Sequence, residues 1–186
     1  NEGRRVINNI TASASMYLIK TIFSVVLSIG MILFGHGYPF KPIQLTVISA
    51  CCVGIPTFFL TYEPNFKRVS GDFLKTVFKN AFPFAFMIAI CSTIIVNGGR
   101  VLGLEKEMLS TICVLLTSWC YYNGLRHIYS PLSHYRIFVI YIMQIVLYIS
   151  LIVGHQFLGL GNIDYIGAIT LMFLVTFSKV IYLLNF

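Results

Sequence analysis

Small polar side chains surround a predicted helix break in the apolar stretch Lys41–Asn65. This stretch is long enough to cross a membrane, but Gly54 and Pro56 interrupt its second half. Proline lacks the backbone N–H that a helix needs and clashes with the preceding turn, so we expect the helix to bend or unwind there. The polar groups around the break are Thr46, Ser49, Cys52 and Thr57. Because a carbonyl freed inside a bilayer needs a partner, which can be an ion, the pattern favours a cation path; a purely structural kink is the alternative.

The preceding apolar stretch carries a matching row of hydroxyl groups. Thr21, Ser24 and Ser28 follow i, i+3, i+7 spacing and therefore share one face of a helix. Thr46, Ser49 and Cys52 follow i, i+3, i+6 spacing on the next stretch and likewise predict a polar face. The two rows predict a shared polar seam that could provide cation ligands. Their alternative role is to join the helices by hydrogen bonds, which contribute about 1 kcal/mol or less per contact.

Lys20 is the one charged residue well inside the first apolar stretch. Charged residues inside a membrane are rare and usually have a function. Here the charge predicts a built-in counter-ion, that is, an ammonium group that fills the cation site once the cation has left. The alternative is that the lysine extends its ammonium group to the nearby membrane surface. The boundary is about 8 Å away at 1.5 Å per residue, which is within reach of a lysine side chain.

The composition is that of a polytopic membrane protein built from α-helices. Hydrophobic residues make up 58% of the chain and charged residues 10%, with a mean hydropathy of +0.85. Soluble domains carry closer to a quarter charged residues. The net charge of +7 comes from basic residues between the apolar stretches, where they face the lipid bilayer. We therefore exclude nucleic acid as a partner.

Six apolar stretches have membrane-spanning length and predict an all-α membrane domain covering residues 14–186, preceded by a stalk at 1–13. The predicted spans are 15–34, 42–62, 80–96, 108–122, 135–157 and 165–184. Alternate sides hold eight and three basic residues, so both termini are predicted in the cytoplasm of a multi-pass cell-membrane protein. The smaller set is Lys41, Arg100 and Lys106. Aromatic residues near span ends, including Tyr121 and Tyr122, predict an interfacial belt.

Two features bear on the context of the chain. The first residue is Asn1 rather than methionine, so we expect a piece of a longer protein. All five cysteines lie inside apolar stretches, which predicts buried small side chains rather than a disulfide framework. The cysteines are Cys51, Cys52, Cys91, Cys113 and Cys120.

Four motifs resemble the P-type cation-transporting ATPases. EGRRVINNI at 2–10 is similar to the end of that family's phosphorylation domain, which leads through a stalk into the fifth membrane helix. PIQL at 42–45, the G-x-P of Gly54 to Pro56 and EPN at 63–65 resemble the sixth helix. The set is most similar to a bacterial branch of calcium-type pumps, and six spans with cytoplasmic ends match the fifth to tenth helices of the family.

The resemblance implies the membrane part of an ATP-driven cation pump. ATP and Mg would bind in cytoplasmic domains elsewhere in the parent protein, and we expect no cofactor in this chain, which contains no phosphorylation or P-loop motif. The implied partners are the transported cation, with calcium first, and the pump's N-terminal membrane helices and cytoplasmic domains. A free-standing six-span carrier or membrane scaffold without ATP coupling is the alternative.

The resemblance also places this chain's residues at the family's ligand positions. Thr21 and Ser24 match ligand positions of the fifth helix, and Ser49, Cys52 and Val53 match those of the sixth. The family's acidic ligands are absent at these positions, and all six carboxylates of the chain lie outside the apolar spans. Calcium prefers six to eight oxygen ligands, often including carboxylates. The resemblance therefore implies one cation site rather than two, with acidic charge supplied from elsewhere.

Overall fold

The computed structural model describes residues 2–63, 65, 72–163, 167–170, 172, 175 and 176, and every regular element within them is helical. The elements are α1 (Glu2–Leu33), α2 (Pro42–Ile48), a π-helical stretch that we call the π segment (Ser49–Gly54), α3 (Ile55–Leu60), α4 (Phe73–Val101), α5 (Lys106–Ile128), α6 (His134–Val153) and α7 (His155–Leu158). The predicted all-α class is confirmed. The predicted sixth span at 165–184 lies mostly outside the described residues.

Four helical stretches of the described chain are long and apolar enough to cross a membrane: Glu2–Leu33, Pro42–Leu60, Phe73–Val101 and His134–Val153. They correspond to the first, second, third and fifth predicted spans. The helices at the first and third positions extend past the predicted limits because polar residues continue them beyond the apolar core, as Lys75 and Arg100 do in α4. The count of six spans and the cytoplasmic placement of both termini stay predictions. The boundary between the predicted stalk and the membrane domain, at residue 13, also stays a prediction, and it falls within the continuous helix α1.

α5 differs from the other long helices because it is polar and almost entirely buried. It has 23 residues, enough to cross a bilayer, and extends the predicted span 108–122 by two residues at one end and six at the other. Its buried polar side chains are Ser110, Thr111, Thr117 and Ser118. α1, α4, α6 and the π segment all pack against it. The low hydropathy of α5 is therefore a consequence of its central position, since it faces other helices rather than lipid.

The beginning of the broken helix is fixed by Gln44, the glutamine of the PIQL motif. Its side chain is fully buried. Its Nε2 donates to the Leu158 carbonyl oxygen at 3.0 Å, and its Oε1 accepts from the Ser110 hydroxyl at 2.9 Å and from the Lys41 backbone N–H at 2.9 Å. These bonds join α2 to α5 and α7, and so hold the beginning of the broken helix against the centre of the bundle.

The end of the broken helix is fixed by an ion pair that follows α3. The Arg136 side chain at the start of α6 is only 6% exposed, and its Nε lies 3.2 Å from the Glu63 carboxylate. Its Nη1 donates to the carbonyl oxygens of Tyr129 at 2.8 Å and Pro131 at 3.0 Å, while the Ser133 hydroxyl donates to Glu63 at 2.6 Å. A buried guanidinium needs such partners. The glutamate of the EPN motif therefore joins the end of α3 to the start of α6.

Candidate cation site at a π-helical segment

The predicted break is a change of hydrogen-bond register and not an unwound stretch. At the end of the π segment, the Ile55 N–H donates to the Ala50 carbonyl, five residues earlier. In an α-helix the same N–H would pair with the Cys51 carbonyl, four residues earlier. π-helical turns are rare in proteins and occur frequently at functional sites. The chain therefore stays helical through the break but with one wide turn.

This register leaves the Cys51 carbonyl without a backbone donor. Its α-helical donor, the Ile55 N–H, is already bonded to Ala50. Its π-helical donor would be residue 56, but Pro56 has no N–H. The hydroxyl of Tyr122, on α5, lies 3.2 Å from the Cys51 carbonyl oxygen and 2.8 Å from the Met143 carbonyl oxygen on α6. The freed carbonyl thus lies where the π segment, α5 and α6 meet.

Tyr122 lies at the candidate site, although the sequence pattern predicted it to be part of an interfacial aromatic belt. Tyr121 and Tyr122 are 1% and 0% exposed and α5 continues to Ile128, so both rings pack among the helices and neither belongs to an aromatic belt that faces the lipid. A buried tyrosine hydroxyl needs a hydrogen-bond partner. A carbonyl freed by proline needs a donor. These two needs were visible in the sequence, but their pairing was not.

Three of the predicted polar residues of the broken helix donate hydrogen bonds to backbone carbonyls of the same helix. The hydroxyl groups of Thr46, Ser49 and Thr57 donate to the carbonyls four residues earlier, at 3.0, 2.5 and 2.7 Å. Each oxygen keeps its lone pairs for a further contact, so donation does not exclude cation binding. Cys52 is fully buried, and its thiol lies near the Tyr122 and Ser118 side chains. Of this set, Cys52 and Thr57 are buried, Ser49 is partly buried and Thr46 is exposed.

Thr21, Ser24 and Ser28, the α1 residues of the predicted seam, differ in exposure and in the groups that they contact. The Ser24 side chain lies near Tyr38 in the α1–α2 loop, and the Ser28 hydroxyl donates to the Ser24 carbonyl at 2.7 Å. Thr21 is exposed and bonds to the Tyr17 carbonyl at 3.4 Å. Lys20 is partly buried and makes no ion pair with a described residue. No comparison or contact tests cation binding by these residues, so it stays a prediction.

Tyr17 is a second residue that the sequence pattern missed. A Cβ atom added to Gly54 would lie 3.8 Å from the Tyr17 hydroxyl and 3.6 Å from the Ser49 carbonyl oxygen. Tyr17 is one turn before Thr21 and on the same face of α1, which was the available signal. The α1 face that carries Thr21 and Ser24 therefore brings a phenolic oxygen next to the π segment.

The oxygen atoms gathered at the π segment are uncharged. Val53, which matches an acidic ligand position of the family, is buried in the core at 1% exposure. Among the described residues, no group of three or more His, Cys, Asp and Glu side chains could hold a metal ion. A cation here would be bound by carbonyl and hydroxyl oxygens from this chain. Any balancing negative charge has to come from another part of the protein.

Replacing Gly54 with alanine is expected to preserve the fold and impair transport. The backbone φ of Gly54 is −60°, which alanine adopts freely, and the new methyl group would make ordinary contacts at 3.6 and 3.8 Å. Alanine should stabilise the helix by about 1 kcal/mol. The methyl group would, however, occupy the gap beside Tyr17. Thermal unfolding and cation-dependent ATPase activity of the whole protein measure the two effects; the same change at Gly98, where nothing lies within 4 Å, is the control.

Comparison with known proteins identifies the family. No family model and no solved structure matches the chain. A probable cation-transporting ATPase, exp7 of Streptococcus pneumoniae, is 33% identical over 147 residues, which is 75% of this chain and 19% of that protein. The calcium-transporting ATPase CtpE is 31% identical over 132 residues in Mycobacterium bovis and 30% over 128 residues in Mycolicibacterium smegmatis. The chain belongs to the P-type cation-transporting ATPase family.

The match confirms the resemblance carried by the EGRR, PIQL and EPN motifs. The two CtpE matches cover 62% and 61% of this chain and 16% of each relative. The chain thus spans about a fifth or less of the length of the curated relatives it matches. The name of CtpE agrees with the calcium-type branch that the motifs resemble.

Proposed function

We propose that this chain forms part of the membrane domain of an ATP-driven cation pump, with the cation path passing the π segment. The observation that carries this proposal is the Cys51 carbonyl, which Pro56 leaves without a backbone donor deep inside the helix bundle. Broken membrane helices with freed carbonyls are a recurrent way to build ion sites in transporters. The relatives, named as cation-transporting ATPases, support the same activity.

The length of α1 supports a role in transmitting motion to this site. Its 32 residues span about 48 Å at 1.5 Å per residue, more than the ~30 Å hydrocarbon core of a bilayer. Near its start, the Asn8 side chain donates to the Asn65 carbonyl at 2.9 Å and the Asn9 side chain to the Thr61 carbonyl at 3.1 Å. A displacement of the stalk would therefore pull directly on the end of the broken helix.

The remaining parts of the pump would come from the rest of the parent protein. ATP and Mg would bind in its cytoplasmic domains, and an acidic cation ligand would come from its N-terminal membrane helices. In this arrangement the chain contributes six transmembrane helices with both termini in the cytoplasm of a multi-pass cell-membrane protein. The excess of basic residues on the side of both termini supports this orientation.

Calcium is the first candidate for the transported cation. The oxygens at the π segment are hard ligands of the kind that calcium accepts, and the CtpE relatives are named as calcium-transporting. Manganese, magnesium and monovalent cations are the alternatives. Uptake by sealed vesicles containing the whole protein should require ATP and should select one of these ions. ATPase activity that ignores every cation, or transport without ATP, would contradict the pump and favour a carrier.

Lys20 remains a proposed built-in counter-ion. Replacing Lys20 with alanine should then introduce proton counter-transport and change the ratio of charge to cation moved per ATP, because the vacated site would need another positive charge. Lys20→Arg keeps the charge and should behave like the parent. A stoichiometry unchanged in Lys20→Ala would show that the lysine only extends to the membrane surface.

A further inference from the structure

The three basic residues predicted on the extracytoplasmic side line a single cavity. Lys41, Arg100 and Lys106 lie far apart in the sequence, but the α1–α2 loop, the end of α4 and the start of α5 bring them together. The cavity has a volume of about 300 Å³. This clustering places all the positive charge of that side at one point of the surface.

The cavity keeps a net positive charge after its internal contacts are counted. Lys41 Nζ lies 3.7 Å from Glu107 Oε1, and Glu107 is the one carboxylate in the described lining. Arg100 Nη1 lies 2.7 Å from Nδ1 of His36, which must accept because a guanidinium only donates. Lys106 makes no ion pair within the described part of the chain. Three positive groups and one negative group leave a charge of +2.

Part of the cavity lining is apolar. Phe40, Val96 and Leu109 line it and are each 4–5% exposed. Tyr38 also lines it, and partial burial raises the pKa of its hydroxyl, which remains a hydrogen-bond donor at neutral pH. A cavity lined by both cationic groups and buried apolar side chains matches an anionic head group with an attached hydrocarbon chain.

A transported cation does not suit this cavity, because like charges repel and the lining offers one carboxylate against three basic groups. A phosphate group suits it well. Arginine binds phosphate through two N–H groups, and lysine binds it as a point charge.

We propose that this cavity binds a phosphate-bearing anion, with the head group of an anionic phospholipid as the expected source. The charge-neutralising bonds would form to Arg100 and Lys106, which lack a carboxylate partner among the described residues. The proposal does not depend on the pump function, since it concerns lipid binding to the folded protein. A pump that fails to transport any cation could still bind the lipid, and the reverse also holds.

The test measures lipid retention by native mass spectrometry of the whole protein in detergent, with added phosphatidylglycerol or phosphatidylcholine. The parent should retain phosphatidylglycerol selectively. The double variant Arg100→Gln, Lys106→Gln should bind it roughly thirtyfold more weakly, from the contribution of two basic groups near an anionic surface. Lys75→Gln, Lys79→Gln, at the other end of α4, is the charge-matched control and should bind within about twofold of the parent on the same scale.

A variant that should bind the lipid more tightly controls for misfolding, because a misfolded protein would lose binding and not gain it. Glu107→Gln raises the cavity charge to +3 and should tighten phosphatidylglycerol binding about fivefold, by the same contribution per charge. Calorimetry with inorganic phosphate separates the two sources. If the parent binds inorganic phosphate, the double variant does not, and the parent shows no preference for phosphatidylglycerol, then the cavity binds free phosphate. That result would support phosphate recognition by the cavity but not the lipid as its source. Equal losses in both double variants, or no binding of either probe to the parent, would overturn the proposal.

Discussion

Replacing Pro56 with alanine is expected to abolish cation-dependent ATPase activity while making the membrane bundle more stable. Alanine restores an N–H at residue 56, so the π segment can return to the α register or supply Cys51 with a backbone donor. In both cases the Cys51 carbonyl is no longer free for a cation. An interior proline costs about 3 kcal/mol in a water-exposed helix, and neighbouring helices offset part of this cost in a membrane. We therefore expect a gain of about 1–3 kcal/mol in stability and a loss of more than tenfold in activity.

Pro42 provides the matched control for this experiment. It is the first residue of α2, where a helix has no use for the N–H, so Pro42→Ala should leave stability and activity close to those of the parent. Thermal unfolding and ATPase assays on the whole protein, with and without calcium, measure both quantities. Parental activity in Pro56→Ala would show that the wide turn is only a structural feature and would remove the main support for a cation path there.

Replacing Tyr122 with phenylalanine is expected to destabilise the cation-free protein and to increase its stabilisation by the cation. The change removes the hydroxyl that lies 3.2 Å from the Cys51 carbonyl and leaves that buried carbonyl unpaired. An unpaired buried polar group costs about 1–3 kcal/mol. A cation bound at the carbonyl would replace the missing donor and recover part of this cost. The shift in unfolding temperature on adding the transported cation should therefore be larger in Tyr122→Phe than in the parent.

Tyr121 is the control because it is the adjacent tyrosine on the same helix and is equally buried. Its ring packs edge-on against Phe23 at a centroid distance of 6.2 Å. Tyr121→Phe should leave the cation-induced shift as in the parent. If Tyr122→Phe also shows the parental shift, the tyrosine joins the helices without influencing the cation, and the Cys51 carbonyl is not a ligand.

The sequence predicted the fold class well because membrane burial acts on each stretch separately. Every span must satisfy its backbone within itself and present an apolar surface, so apolar runs of about 20 residues mark helices whatever surrounds them. α5 is where this rule is weakest. Its predicted span was short because polar and charged residues, such as Lys106 and Arg126, bound the apolar run at both ends. Ser110, Thr111, Thr117 and Ser118 lie inside the run and lower its hydropathy, and only the packing of α5 among α1, α4, α6 and the π segment explains how these groups are buried.

The sequence by itself determined that a carbonyl near Pro56 would lack a backbone donor, since proline has no N–H in any fold. Only the tertiary structure decided which carbonyl this is and what lies beside it. The π register selects Cys51, and the packing of α5 brings in Tyr122, 71 residues further along the chain. The physical reason is that a missing donor is a local property of the chain, whereas its replacement depends on contacts between helices that periodicity and hydropathy do not specify.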